Sequence, residues 1–330
     1  MSSACIVTGC AGFIGSRVAA QLLEAGSTVI GIDNLNDYYD VRLKEHRLQN
    51  LRSASPAAER FDFFPVDLED QTGVASVFDA HPEVSIVFNL AARAGVRYSM
   101  ENPHIYMTTN AMGSLNLLEE MRRRSIPKYV LASTSSLYAG QPTPFLESLP
   151  VNTPISPYAA SKKAAEVMAY SYHHLYGIDV SICRYFTVYG PAGRPDMSIF
   201  RFIRWMDAGQ QIELFGDGTQ ARDFTYVDDI ARGTILAGRE VGFEIFNLGG
   251  GNEPVTLLDI LSRLERMIGK PAQVDLQAFH KADIKVTMAD IAKARTMLGW
   301  SPQTDLDTGL RRSVEWYMEH KPWSESLVLP

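Results

Sequence analysis

Cysteine is scarce: Cys5, Cys10 and Cys183 are the only three in 330 residues. They are too few to frame a disulfide scaffold, they show no CxxC metal spacing, and free thiols suit a reducing cytosol. No stretch approaches the roughly 18 apolar residues that span a bilayer. Gly9, Gly12 and Gly15 interrupt the N-terminal stretch before any apolar export segment can form. The expectation is a cytoplasmic protein with no membrane partner. Cations are in deficit, 31 Lys and Arg against 38 Asp and Glu, and Arg122-Arg123-Arg124 reads as the charged end of a helix. Tracking a nucleic-acid backbone needs an excess of cations, so no nucleic-acid partner is expected. His173 and His174 are neighbours on one helix and point apart, without carboxylate or thiolate partners, so no metal is expected. Gly-x-Ser-x-Gly is missing, which disfavours a hydrolase nucleophile.

What is present is ordinary globular composition, 46% hydrophobic and 21% charged, long enough for two domains or one fused unit. Short apolar runs at 4–8, 28–33, 61–66, 85–90, 129–133, 180–184 and 244–248 read as strands. Helical periodicity lies between them at 13–25, 41–51, 71–80, 103–123 and 157–176. Such alternation implies right-handed crossovers and a mostly parallel sheet covered on both faces. After Gly190 the texture changes to a loop, a helix at 198–208, a short strand at 211–215 and mainly helices from 253 on. The expected fold is α/β: a doubly wound parallel sheet of the Rossmann kind with a smaller, interwoven C-terminal lobe. Residues 1–190, with 226–250 returning, form the first unit; 191–225 and 251–330 form the second.

Thr8-Gly9-Cys10-Ala11-Gly12-Phe13-Ile14-Gly15 joins the first strand to the first helix. Glycines there let the backbone turn tightly and approach a pyrophosphate at the positive end of a helix. Many strand–helix turns contain glycine, but Asp33 ends the second strand about 20 residues on, where a carboxylate accepts ribose hydroxyls. That carboxylate also repels a 2′-phosphate, so the expected cofactor is NAD. Asp67-Leu68, after the third strand, can reach the adenine edge.

Tyr158 and Lys162 lie one helical turn apart on one face. A free tyrosine has a pKa near 10; an adjacent ammonium and a positive nicotinamide ring would bring the phenolate within working range. Exposed helical neighbours show the same spacing, and the chain has 14 tyrosines. Ser133-Thr134-Ser135-Ser136 ends the fifth strand, where ligands of doubly wound sheets bind. Thr134 is expected to hydrogen-bond the Tyr158 oxygen and a substrate hydroxyl, although turn capping also suits these hydroxyls.

With these residues in place, the chain resembles the extended short-chain dehydrogenases/reductases that act on nucleotide sugars. The matching motifs are the glycine loop, Asn89-Leu90-Ala91-Ala92, the Ser133–Ser136 quartet, Tyr158/Lys162 and Arg222-Asp223-Phe224-Thr225-Tyr226-Val227-Asp228-Asp229. Within that family Asp33-Asn34-Leu35-Asn36-Asp37-Tyr38-Tyr39-Asp40, Ala94-Gly95-Val96-Arg97-Tyr98-Ser99 and Gly193-Arg194-Pro195-Asp196-Met197 look most like the UDP-glucuronate 4-epimerases. The resemblance implies that Tyr158 is base and then acid, Lys162 its electrostatic partner and Thr134 the positioning hydroxyl. It implies NAD contacts from Gly9, Gly12, Phe13, Ile14, Gly15, Asp33, Asn34, Asp67, Leu68, Leu90, Ala91, Ala92, Asn110, Ser133, Tyr158, Lys162 and Tyr185. It implies UDP-sugar contacts from Arg93, Thr134, Ser135, Ser136, Tyr158, Thr187, Arg194, Arg222 and Asp283, with Arg222 at the diphosphate and Arg194 at the sugar carboxylate. It also implies a homodimer built from the helices at 103–123 and 157–176.

Departures from the family pattern are Ala139 in place of Gly, Arg93 in place of Gln, Ala192 in place of a bulky aromatic, and Phe279-His280-Lys281-Ala282 before Asp283. Arg93 and Ala192 are expected to border the sugar. A dehydratase or decarboxylase would share cofactor and base, yet the resembled ones carry acidic residues after the strand-end threonine, where Ser135 and Ser136 stand. A UDP-glucose epimerase and a non-catalytic NAD-binding sensor are the other readings; the sensor commonly lacks the Tyr/Lys pair.

Overall fold

The computed structural model describes residues 4–53, 57–279 and 282–329. Its first half builds the expected sheet from β1 (Ala4–Thr8), β2 (Thr28–Ile32), β3 (Phe61–Phe64), β4 (Val84–Asn89), β5 (Lys128–Thr134) and β6 (Asp179–Tyr185). A seventh strand, Phe243–Leu248, adds beyond β6, and all seven run parallel in the order Phe243–Leu248, β6, β5, β4, β1, β2, β3. Every residue of β1 and β5 is buried, which is why both read as continuous apolar runs rather than as alternation.

Strand order reverses at β1, so the connections after β1 and β4 leave in opposite directions and open a crevice at the strand ends. Register levels the site. Thr8 pairs with Ile32 on one side and Asn89 on the other, which places Gly9, Asp33 and Leu90 side by side. The Thr8 hydroxyl donates to Asn89 Oδ1 at 2.7 Å and accepts from the backbone amides of Leu90 and Ala91. Asn89 passes its own amide to the Tyr129 hydroxyl at 2.7 Å and to Ser114. Leaving these buried groups unpaired would cost about 1–3 kcal/mol each.

Three two-stranded pairs make the smaller lobe: Phe224–Tyr226 with Thr187–Tyr189, Val255–Thr256 with Ala221–Arg222, and Gln273–Gln277 with Gln211–Phe215. Helices Ser198–Asp207, Leu257–Ile268 and Leu306–Glu319 bury Phe202, Met206, Ile260, Leu264, Leu310 and Tyr317 against them. Phe200 joins a separate cluster with Tyr39, Leu43 and Leu327.

Two expectations need correcting. The stretch 251–330 does not all belong to the lobe: Ala289, Ile291, Ala294, Leu298 and Trp300 pack in the core of the large sheet with Phe88 and Val130. Trp300, fully buried, donates from Nε1 to the Asp229 carbonyl at 2.8 Å. The helix before it, Ala292–Leu298, has only 7 residues, too short for a hydrophobic period to tell which core it faces. The helix at 103–123 is three pieces, Pro103–Tyr106, a π-helical turn at Met107–Met112, and Gly113–Arg124, with a short separate helix, Tyr98–Glu101, before them. The π turn admits an extra residue and carries Asn110, which hydrogen-bonds the Arg93 backbone and the Ser161 hydroxyl.

Candidate functional site

A cleft of about 360 Å³ opens at the strand ends, lined from both units. Its floor is the glycine turn. Gly9 has φ +67°, and a Cβ there would come within 2.8 Å of the Ala91 amide nitrogen; a Cβ on Gly15 would collide with the Gly9 carbonyl. These positions therefore exclude side chains for two reasons, conformation and close approach. Helix Phe13–Glu24 starts here with no side chain capping its first turn, so its first amides point into the cleft, at the positive end of the helix dipole. Asp33, buried, accepts from the Ala11 amide through Oδ2 at 3.1 Å and from the Leu35 amide through Oδ1 at 2.9 Å. Each oxygen keeps a lone pair for a ribose hydroxyl. Asn34 donates to Asp67 Oδ2 at 2.6 Å, and both line the cleft with Leu68, Leu90, Ala91 and Ala92. The cradle fits a dinucleotide.

Arg47 is a structural member that sequence reasoning missed. Its buried guanidinium donates to the Ala11 carbonyl, the Tyr39 hydroxyl and the Ala192 carbonyl, binding the glycine turn to the loop after Tyr189. No pattern marks it, since it sits on a polar helix, Val41–Ser53, among other charges.

The far wall is catalytic in layout. Ser156 caps helix Pro157–Tyr176, accepting from the Ala159 amide at 3.2 Å, and Pro157 takes the first helical position where no amide is needed. Tyr158 thus enters in the first turn, where the helix dipole favours an anion. Thr134 hydrogen-bonds Tyr158, and its Oγ1 accepts from the Ser136 amide at 3.1 Å. Lys162, 4% exposed, donates from Nζ to the Ala132 carbonyl at 2.8 Å. Burial raises the Tyr158 pKa, while the Thr134 hydrogen bond and the Arg194 charge pull it down. Burial also pushes Lys162 down to about 8, against the opposing charge of Glu166. Lys162 is thus anchored to the strand end one helical turn from Tyr158, and both side chains line the cleft together with Arg194.

Arg194 lines the cleft, but its fork is engaged by Asp196, with Nε on Oδ1 at 3.0 Å and Nη2 on Oδ2 at 2.5 Å. Arg93 also lines the cleft. Its Nη1 donates to Asn36 Oδ1 at 3.1 Å and its buried Nε has no partner among the described residues. That contact ties Arg93, which follows β4, to the loop after β2. Ser133, Ser135, Ser136, Tyr185 and Thr187 line the wall; the Tyr185 hydroxyl is engaged by Thr234 at 2.8 Å.

Three expected contacts do not line this cleft. Asn110 is buried behind it: Oδ1 accepts from the Arg93 amide, and Nδ2 donates to the Arg93 carbonyl and the Ser161 hydroxyl. It braces both walls. Arg222 donates to the Ala221 and Lys285 carbonyls, and Asp283 is ion-paired with Arg97 at 2.8 Å. Burial pushes Arg222 below its ordinary pKa, and Asp283 opposes the shift. Arg97, the partner in that ion pair, holds its guanidinium 3.8 Å from the centre of the Phe215 ring. Ala192 does not line the cleft either; it packs against the cluster of Tyr39, Leu43, Phe200 and Leu327 and gives its carbonyl to Arg47. His280 and Lys281 lie outside the described residues.

Among the described residues no cluster of His, Cys, Asp and Glu could hold a metal ion, and no helix is long and apolar enough to cross a membrane. Residues 5–249 match the model of the NAD dependent epimerase/dehydratase family. The UDP-glucuronate 4-epimerase of Thermodesulfobacterium geofontis is 55% identical over 315 residues, 96% of each chain. The crystal structure of UDP-glucuronic acid 4-epimerase from Bacillus cereus, in complex with UDP-glucuronic acid and NAD, superposes with a TM-score of 0.89 at 37% identity, covering 96% of this chain and 99% of that one. UDP-glucose 4-epimerase of Thermotoga maritima, solved with UDP-glucose, follows at a TM-score of 0.83 and 30% identity over 96% and 99%.

Proposed function

The chain belongs to the NAD dependent epimerase/dehydratase family, and from that premise we propose that it inverts C4 of a UDP-hexuronic acid, interconverting UDP-glucuronate and UDP-galacturonate. One observation carries the reading: Thr134, Tyr158, Lys162 and Arg194 converge on the cleft that also holds the glycine cradle. NAD, when bound, supplies the redox chemistry by taking a hydride from C4 and returning it to the opposite face. Tyr158 removes the 4-hydroxyl proton as C4 is oxidised and restores it on the second face. Thr134 orients that hydroxyl, and Lys162 holds β5 against the helix. The cradle of Gly9, Gly12, Gly15, Asp33 and Asp67 binds the dinucleotide.

Thr187, Ser135 and Arg194 meet the sugar carboxylate, Arg222 and Arg97 hold the diphosphate, and Asp283 takes the uridine ribose. On this assignment NAD rests on residues 1–190 and 226–250, and the nucleotide sugar on the lobe. Neither Ser135 nor Ser136 is acidic enough to move the proton that elimination requires, so retention of all carbons and oxygens is expected. Purified protein mixed with UDP-glucuronate and no added cofactor should give the anomeric NMR signals of UDP-galacturonate. UDP-xylose or a 4-keto-6-deoxy sugar as main product, or turnover of UDP-glucose alone, would overturn the proposal.

The partner is a second copy. Met107 and Met112 on the π turn and Val167, Tyr170 and Leu175 on the neighbouring helix are each at least 43% exposed, a larger apolar display than scattered surface residues give. Light scattering should report twice the 36.7 kDa chain mass, and Val167→Glu/Tyr170→Glu should halve it; a wild-type monomer would refute the pairing. The three buried free thiols are in keeping with work in the cytoplasm.

A further inference from the structure

The loop carrying Arg194 contains its own carboxylate. Asp196 follows two residues on, with buried Pro195 between them, and the Met197 amide closes a turn onto the Arg194 carbonyl at 3.1 Å. The pair is side-on and bidentate, and both side chains are mostly sheltered, 19% and 13% exposed. It consumes the Nε and Nη2 edge of the guanidinium, leaving Nη1 for a ligand in the cleft. From across the cleft, the Tyr38 ring sits with its centre 5.9 Å from the guanidinium carbon.

We infer that Asp196 is a specificity-determining counterion that sets how firmly Arg194 grips the substrate carboxylate, an inference that rests on the uronate reading above. Epimerisation places two opposed demands on that grip. The carboxylate must be bound well enough to select a uronic acid, and it must be released while the oxidised ring turns its other face. An unshared, sheltered arginine makes a strong bidentate clamp on a carboxylate. Such a clamp binds one orientation tightly and raises the cost of leaving it, which stabilises the ground state without helping the reaction. A resident carboxylate that already holds two of the donors reduces the net charge of the anchor to near zero. It also confines the substrate to a single-edged contact. Arg194 is the cation that lowers the Tyr158 pKa, so the same counterion moderates the field at the base.

Asp196→Asn tests this because the amide keeps the shape of the side chain and an oxygen that accepts from Nε. Titration of NAD-loaded Tyr158→Phe and Tyr158→Phe/Asp196→Asn should show about fivefold tighter binding of UDP-glucuronate in the double variant, the scale of a partly exposed ion pair. UDP-glucose, which lacks the carboxylate, should bind both equally. In the otherwise native enzyme, Asp196→Asn should lower KM and kcat for UDP-glucuronate together, the signature of a ground state held too well. Unchanged UDP-glucuronate affinity, or an equal change for both sugars as a purely structural brace would give, overturns the inference while leaving the proposed function intact. A native protein that turns over UDP-glucose and does not bind UDP-glucuronate removes both.

Discussion

Replacing Tyr158 by Phe should lower kcat for UDP-glucuronate by about 10³-fold while leaving NAD and nucleotide-sugar binding within a few-fold of the native values. The ring itself is a packing element. It meets Tyr106 edge-on with centroids 6.1 Å apart, and Phe keeps that contact. What is removed is one oxygen, the atom that Thr134 hydrogen-bonds and Arg194 biases towards the anion. No other described group offers a replacement base of the same reach: Lys162 is tied to the Ala132 carbonyl, and Tyr106 spends its hydroxyl on the Ala94 and Gly95 carbonyls, each at 3.0 Å. Burial raises the Tyr158 pKa in the protein alone, and the positive charge of an oxidised cofactor would act in the opposite direction. Turnover by the variant within tenfold of native would refute the assignment. Loss of NAD retention would show instead that the ring holds the cofactor.

How much of this was legible beforehand depends on range. The sheet and the glycine turn were readable because local rules govern them: β1, β2, β5 and β6 bury nearly continuous runs, and Gly9 needs its positive φ wherever the fold places it. Element ends moved by a residue or so, as capping and fraying allow. The helix at 103–123 misled because a π turn preserves apolar periodicity while adding a residue, and Pro103 read as a start and not as a second break. Pairings such as Arg47 with Ala192, Arg97 with Asp283 and Trp300 with Asp229 span 145, 186 and 71 positions. Nothing local specifies them; they follow only from how the second unit folds back. Asp196 is a different case. It was in plain view beside Arg194, but a two-residue separation does not say whether two side chains turn towards each other in a loop.

The largest stability loss should come from Glu166, a residue that touches no ligand. Glu166, 2% exposed, accepts from Arg184 Nε at 2.9 Å and Nη2 at 2.8 Å, and its Oε1 also takes the Ser133 hydroxyl at 2.7 Å. Arg184, 1% exposed, continues to the Tyr138 hydroxyl at 2.8 Å, which donates to Asn247 Oδ1 at 2.8 Å. Burial opposes the Arg184 charge, but the Glu166 carboxylate outweighs it and holds the pKa above its ordinary value. Glu166→Ala would strand that charge in a dry core and should cost about 3–5 kcal/mol, read as a lower urea midpoint at unchanged slope. The pair as a whole is worth far less than either half, because burying two ions repays little beyond their desolvation. Glu166→Leu/Arg184→Met should therefore recover most of the midpoint. The double variant would still lose activity, since Ser133 sits between Ala132, which holds Lys162, and Thr134, and its hydroxyl would have lost the anchor that fixes that strand end against the helix. A Glu166→Ala protein as stable as native would mean that Arg184 finds another counterion, and the brace would have to be sought elsewhere.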